Sequence, residues 1–485
     1  MSVDALWEEV ADWLERQAEQ TIETSCARVF LHADVAWKVK RPVRFAFLDF
    51  STPGKRKWAL DRELEFNRRW TKDIYRSVRA VTRARDSFAL DGEGEAVEWL
   101  LEMRRFDPRV VLAELRQPID GELAERLGRL IARAHIEAPI AMDGGGPEAL
   151  GYTIATIEVS LRGSGLGRDA VEHLIDRTRS ALEVLTPVLE SRRLAGFGRP
   201  CHGDLHLGNI LIEDGVPVPF DCIEFNDRLS RIDVLYDAAF PIMDLTVRQG
   251  PEPANRLLGA YLDEAARGLP QTHWEGLAAL PLFLSVRAAV RAHVSEATGE
   301  TELAKRYLAA AEAFLQPTTP RLFALGGLSG TGKTTLARTM APFVAGAPGA
   351  VILRSDEIRK RLWGAGHLDP LPPAAYEPEQ DLAVYDEMFE LAATIVCAGR
   401  SVVMDATFLA PETRIRADEL ATSLRVPFTP VWLSADPGAL RARIAGRAAD
   451  SSDAGVEVLE RQLMRDLGPL TWPQVSVDAP APSWS

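Results

Sequence analysis

The residues Gly327-Leu328-Ser329-Gly330-Thr331-Gly332-Lys333-Thr334-Thr335 fit the pattern G-x-x-x-x-G-K-[ST] and constrain the fold more than any other stretch of the chain. The pattern works as a tight turn between a strand and a helix. Its glycines let successive backbone N–H groups turn inward and close on phosphate oxygens. The helix that follows adds the positive end of its dipole. Lys333 has the reach and charge for β- and γ-phosphates, and the Thr334 hydroxyl is a suitable ligand for Mg²⁺. The flanks agree. Leu322-Phe323-Ala324-Leu325 is an apolar strand running into the turn, and Thr334 to Met340 reads as a helix. A nucleoside triphosphate with Mg²⁺, ATP in the first instance, is the predicted ligand.

A chain of 485 residues has room for about three structural units. The formal charge of −14 disfavours a general nucleic-acid or anionic-membrane surface, although a phosphate site still needs a local basic pocket. A nucleic-acid partner is therefore not expected. Cys26, Cys201, Cys222 and Cys397 are widely spaced with no C-x-x-C pair, which argues against a disulfide framework or zinc site and fits a reducing cytoplasm. The acidic, amphipathic start is not a signal peptide. With no run of 18 apolar residues, no membrane span is expected.

Taken in order, the chain opens with apolar positions Leu6, Val10, Trp13 and Leu14 at helical spacing. Two short strands follow, 28–32 and 35–40. In the second, Val35, Trp37 and Val39 share one face, and Ala36, Lys38 and Lys40 share the other. Two lysines on one strand face ordinarily point to solvent. A helix from Arg56 to Trp70 carries Glu63 and Glu65, and a strand-like run follows at 96–103. This order resembles the small lobe of a protein-kinase-like fold. From about residue 110 the pattern is mostly helical, with amphipathic stretches at 121–136 and 168–194 and a loop at Asp143–Pro147 between them.

Within the helical part, His202-Gly203-Asp204-Leu205-His206-Leu207-Gly208-Asn209 leads through short apolar strands to Asp221. This is the kinase catalytic-loop spacing. Asp204 can accept the proton of an attacking hydroxyl. Asn209 and Asp221 supply oxygen ligands to Mg²⁺ bridging the phosphates. Asp233 and Asp237 read as acceptors bracing that loop.

Residues 20–300 resemble the aminoglycoside phosphotransferase family, which shares the protein-kinase fold, through the stretch His202–Asn209 and through Asp221 in the metal-binding position. The resemblance implies that one of Lys38 or Lys40 binds phosphate, with Glu63 as its helix partner; spacing does not choose between the lysines. A G-x-G-x-x-G flap is absent before Lys38.

A proline-bearing joint at 317–320 separates this part from a third unit, so the expected organisation is a small lobe at 1–108, a helical large lobe at 109–316 and a phosphate-loop domain at 321–485. The third unit alternates strand and helix, the mark of a parallel sheet. The overall expectation is a multidomain α+β and α/β chain: a two-lobed protein-kinase-like fold followed by a P-loop NTPase parallel-sheet domain. Asp356 and Asp405 fall at the carboxyl ends of strands, where ligands sit in such sheets. Arg443 and Arg447 lie i, i+4 on a helix face, as a phosphate clamp in a lid or as a solvated basic face. The unit resembles the zeta-toxin and polynucleotide-kinase branch of P-loop kinases. That resemblance implies Asp356 as general base, Arg359 as acceptor or phosphate anchor, and Asp405 as the Mg²⁺-side or water-holding acid. Thr471–Ser485 lacks a closing amphipathic helix, so an incomplete final strand or lid is expected.

The leading expectation is a cytoplasmic ATP-dependent phosphotransferase with two ATP/Mg²⁺ sites and a small-molecule hydroxyl acceptor. The alternatives are a nucleotide-sensing regulatory ATPase, or a polynucleotide 5′-hydroxyl kinase in the C-terminal unit.

Overall fold

The computed structural model describes residues 3–24, 26–45, 48–71, 73–84, 87–446, 452–453 and 455–477. The chain forms two compact units. The first comprises Met1–Pro118, Glu137–Leu150 and Gly198–Phe240; the second comprises Ile119–Ile136, Gly151–Phe197 and Pro241–Ser485.

The first unit is built on an antiparallel sheet in the order Gln20–Glu23, Ala27–His32, Val35–Lys40, Glu95–Arg104, Tyr75–Ala84, Ser87–Leu90. Both faces are covered. The helix Val3–Glu15 lays Trp7, Val10, Ala11 and Leu14 on one face, against Phe30, Trp37, Val39, Val81 and Leu100. Its Trp7 indole N–H donates to the Lys40 carbonyl at 2.8 Å and fixes the end of the central strand. The helix Pro53–Asn67 covers the other face. Thr52 caps it, and Pro53 costs it no hydrogen bond in the first turn. Leu60 packs there with Tyr75 and Leu101. Leu100 and Leu101 thus feed cores on opposite faces, as strand alternation requires. The same alternation sends Lys38 and Lys40 inward beneath this helix. The solvent-facing expectation for these lysines is corrected, because neither sheet face is open.

Gly144 and Gly145 turn the chain as expected, but a further helix, Gly146–Arg162, starts immediately after them. Pro147 sits in its first turn, where its missing N–H has no helical acceptor in any case.

The second unit contains a five-stranded parallel sheet in the order Val351–Arg354, Val402–Asp405, Leu322–Gly327, Phe428–Ser434, Gln474–Ser476. The central strand Leu322–Gly327 is buried along its whole length, as an all-apolar strand between two helical layers must be. The final strand is formed, correcting the expectation that it would be incomplete. Residues 478–485 lie outside the described residues. Among the described residues no single helix is long and apolar enough to cross a membrane.

Candidate functional sites

In the first unit, charged side chains from separate stretches converge. The Lys38 ammonium lies 2.7 Å from Glu63 Oε1 and 2.9 Å from Asp221 Oδ1. Lys40 lies 2.7 Å from Glu63 Oε2 and 2.7 Å from Glu224 Oε1. Glu63, with no exposed surface, is therefore gripped between two ammonium groups. Burial alone pushes its carboxyl up, but the two lysines outweigh burial and hold it at about 2. Burial works against the Lys38 ammonium, yet Asp221 and Glu63 raise its pKa well above the usual lysine value. Of the two lysines left open by the sequence, Lys38 is the one that meets Asp221.

The hairpin Ile210–Glu213 and Val216–Pro219 holds Asn209 and Asp221 at its open end. Asn209 Nδ2 donates to the Asp204 carbonyl at 2.9 Å and to Asp204 Oδ2 at 3.1 Å. Asp204 keeps 38% of its side chain exposed and Asp221 46%, so both carboxylates face open space while their backbones are fixed. Asp221 adopts φ 60°, and its N–H donates to the Tyr75 hydroxyl at 2.9 Å. A left-handed backbone at a non-glycine costs about 1–2 kcal/mol and persists where neighbours over-determine it. The Asp237 carboxylate accepts the N–H groups of His202 at 3.1 Å and Gly203 at 2.8 Å, which is the bracing role read from its position. His202 Nε2 lies 2.9 Å from the Phe220 carbonyl, and burial lowers the imidazole's pKa and keeps it neutral. Three carboxylates, Glu63, Asp221 and Glu224, share two ammoniums. Glu63 and Glu224 are buried against the lysines, which leaves the half-exposed Asp221 carboxylate, with the Asn209 side-chain oxygen beside it, as an oxygen donor set that fits Mg²⁺.

In the second unit the phosphate loop has the required backbone. Gly327, Gly330 and Gly332 take φ 137°, 83° and 84°. A Cβ on Gly327 would stand 2.4 Å from the Leu433 carbonyl oxygen, so no other residue fits there. The helix Lys333–Met340 follows directly. The Lys333 ammonium donates to the carbonyls of Gly327 and Leu328, each at 2.9 Å. Thr331 Oγ1 donates to the Leu328 carbonyl at 2.7 Å, and Thr335 is exposed beyond the loop. The Ser329 N–H donates to Gln462 Oε1 at 2.8 Å. Thr334 Oγ1 donates to Asp405 Oδ2 at 2.6 Å, placing a hydroxyl and a carboxylate side by side as an oxygen pair that fits Mg²⁺.

Asp405 is held from behind by a buried chain of alternating charges. Arg354 Nε lies 3.6 Å from Asp405 and its NH1 3.3 Å from Glu357. Arg129 NH2 lies 3.6 Å from Glu357 and its NH1 2.9 Å from Asp263, which also takes Arg361 at 2.8 Å. Asp356 stands beside this chain. Burial raises its carboxyl above the ordinary range, Arg354 opposes that, a hydrogen bond from Ser452 opposes it further, and Asp405 reinforces it. A raised pKa suits a proton acceptor. Arg359 donates to the Ala375 carbonyl at 2.6 Å and to Asp381 Oδ1 at 2.7 Å, so its guanidinium braces the neighbouring helix Pro378–Cys397. Arg443 is exposed on the helix Pro437–Ala445, and Arg447 lies outside the described residues.

Sequence patterning does not single out Tyr75, Glu224, Arg129, Arg354 or Gln462. Glu224, three residues past Asp221, carries the most accessible signal of the five, a second acid beside the metal position opposite a second strand lysine.

Two stability measurements check these contacts. Glu63 has a folded pKa of about 2 against 4.5 for a free glutamate, so its contribution is present above pH 4.5 and is lost as pH falls toward 2. Urea unfolding of wild type and Glu63→Gln should therefore differ by on the order of 3 kcal/mol near neutral pH, with the gap closing in acid. A gap that does not narrow contradicts the double grip. Arg129→Met takes one of two arginines from Glu357 and one from Asp263, leaving Arg354 and Arg361 in place, and should cost about 1–3 kcal/mol in urea unfolding. A loss below about 1 kcal/mol would place the charge chain outside the structural core.

Profile comparison finds two family models along the chain. The phosphotransferase enzyme family model matches residues 56–280, and an AAA domain model matches residues 322–467. Among solved structures, amicoumacin kinase hAmiN is 12% identical, covering 63% of this chain and 92% of that one, with a TM-score of 0.40. A gluconokinase from Sinorhizobium meliloti 1021 is 22% identical, covering 33% of this chain and 85% of that one, with a TM-score of 0.24. The uncharacterized protein Rv2004c of Mycobacterium tuberculosis is 31% identical over 457 residues, 90% of this chain and 88% of its own length. Two nucleotide-binding modules of kinase and ATPase type are thus joined in one polypeptide, and the chain belongs to the family of Rv2004c.

Proposed function

We propose that both modules are ATP-dependent phosphotransferases acting on hydroxyl groups of small molecules. The observation that carries the reading is the Lys38 ammonium, 2.7 Å from Glu63 and 2.9 Å from Asp221. A nucleotide-sensing remnant has no need of a lysine held at once by the helix carboxylate and by the metal-side carboxylate. A kinase needs both, to set the triphosphate against its cation.

In the first module Lys38 steadies the triphosphate, Glu63 aims Lys38, and Lys40 with Glu224 holds Glu63 from its other oxygen. Asp204 takes the acceptor proton, and its side chain is oriented by Asn209 Nδ2 at 3.1 Å. Asn209 and Asp221 would hold Mg²⁺. In the P-loop module the backbone of Gly327–Thr335 receives the phosphates and Lys333 swings from its carbonyl contacts to the triphosphate. Thr334 and Asp405 would hold Mg²⁺, and Asp356 takes the acceptor proton. Bound Mg²⁺ supplies positive charge against the phosphate oxygens of the transferring group. Catalysis in both is positioning and charge neutralisation. We place this module with the small-molecule kinases because Asp356 and Asp405 come together at the carboxyl end of the sheet. The net charge of −14 disfavours a polynucleotide acceptor. The wide spacing of Cys26, Cys201, Cys222 and Cys397, with no C-x-x-C pair, supports a reducing, cytoplasmic setting.

The test is transfer of label from γ-labelled ATP into a metabolite extract by wild type, Asp204→Ala and Lys333→Ala. Asp204→Ala should lower one labelled product by about 10²–10⁴-fold, the usual contribution of a general base, and Lys333→Ala should remove a different one. Labelling that neither substitution lowers contradicts the proposal.

A further inference from the structure

We propose that the P-loop module carries an anion pocket beside Asp356, formed by Lys360, Tyr376 and the Leu371 N–H, and that its acceptor is a small hydroxylated carboxylate or phosphate ester. This rests on the kinase reading of that module. The helix Ser355–Leu362 carries Asp356, Arg359 and Lys360 at i, i+3 and i+4, one helical face. Lys360 is 1% exposed, and a buried ammonium requires an anionic partner. Its Nζ lies 3.1 Å from Asp453 Oδ1. The other oxygen of the same carboxylate accepts from the Tyr376 hydroxyl at 2.9 Å and from the Leu371 N–H at 3.2 Å. A cation, a phenol and a backbone N–H from three stretches of chain therefore close on one carboxylate. One full charge and two neutral donors are what a carboxylate or phosphate oxygen pair requires.

The residue before Asp453 gives the pocket its meaning. The Ser452 side chain hydrogen-bonds to the Asp356 carboxyl. Ser452 and Asp453 together set a hydroxyl on the proton acceptor and a carboxylate in the anion pocket, as a hydroxy-acid substrate would. Tyr376 ties the two halves, since Asp356 as well as Asp453 raises its hydroxyl pKa after burial, and the Arg359 guanidinium sits 5.0 Å over its ring. From the serine oxygen to the next residue's carboxyl carbon the covalent path has seven atoms, six carbons and one nitrogen, so an extended acceptor of about six or seven carbons matches it. In the transfer, the acceptor oxygen bonds to the γ-phosphorus and the bond to the β–γ bridging oxygen breaks. ADP leaves with that electron pair, and the hydroxyl proton passes to Asp356. The dipeptide must leave before an acceptor enters, so Asp453 competes with it.

The experiment is calorimetric binding to the full chain carrying Asp204→Ala, which keeps the other module from turning over. The probes are D-gluconate, sorbitol 6-phosphate and neutral sorbitol. Asp453→Asn removes the internal anion with little change of shape and should tighten binding of at least one anionic probe by tenfold or more, leaving sorbitol unchanged. Gain by gluconate alone assigns a carboxylate, and gain by sorbitol 6-phosphate alone assigns a phosphate. Adding Lys360→Met or, more gently, Tyr376→Phe to Asp453→Asn should take the gain away. The proposal is overturned if neither anion binds Asp453→Asn more tightly, if sorbitol gains equally, or if the gain survives Lys360→Met. Binding is read without turnover. Anion affinity with no phosphoryl transfer would therefore remove the kinase reading while leaving the pocket in place.

Discussion

A carboxylate with no access to water and two lysines on it decides the arrangement of the first unit. Glu63 can stay ionised only because Lys38 and Lys40 both reach it at 2.7 Å. That fixes the helix Pro53–Asn67 over the strand Val35–Lys40, since a shift of one residue along the strand would turn both lysines to the opposite face. It also requires the outer face of the sheet to be covered by other means, which the helix Val3–Glu15 does with Trp7 and Leu14. With the lysines fixed, Asp221 has a partner at 2.9 Å, and the open carboxylates of Asp204 and Asp221 stand on a backbone that cannot relax away from them. A stiff floor under exposed acids favours phosphoryl transfer, where little covalent chemistry falls to the protein and placement does most.

The second unit applies the same rule with arginine. Asp405 would be a buried charge beside the phosphate loop without Arg354, and Arg354 in turn leans on Glu357, which Arg129 pairs with from its other side. Arg129 belongs to the helix Gly121–Glu137, far in sequence from the sheet it supports. Helices that sequence pattern groups with the kinase-like large lobe are thereby part of the same compact unit as the P-loop sheet, and the carboxylate beside Thr334 depends on them. Guanidinium groups suit such chains because they stay charged when buried and present several donors in one plane.

What could be read from sequence follows from locality. The phosphate loop, the catalytic-loop spacing and the parallel-sheet alternation are each written in one short window, and the structure has all three. Asp237 as a brace was equally local. Lys38 and Lys40 were not separable, because the difference between them is their second partner, Asp221 or Glu224, which lies more than 180 residues away. The solvent reading of those lysines failed for the same reason: alternation shows which residues share a face but not what covers it. The helix Gly146–Arg162 was hidden by three glycines and a proline that start it instead of interrupting a loop. The strand Gln474–Ser476 is too short to show a period and exists because Phe428–Ser434 offers it an edge. Tyr75, Arg129 and Gln462 have no local pattern; each acts through hydrogen bonds or ion pairs to residues far along the chain.

The central claim is that each module gathers a triphosphate and its cation independently. Isothermal titration of the full chain with a non-hydrolysable ATP analogue and Mg²⁺ measures this directly. Two nucleotides should bind per chain, falling to one in Lys333→Ala and to one in Lys38→Met. A single nucleotide per wild-type chain, or a stoichiometry that neither substitution lowers, would contradict the account.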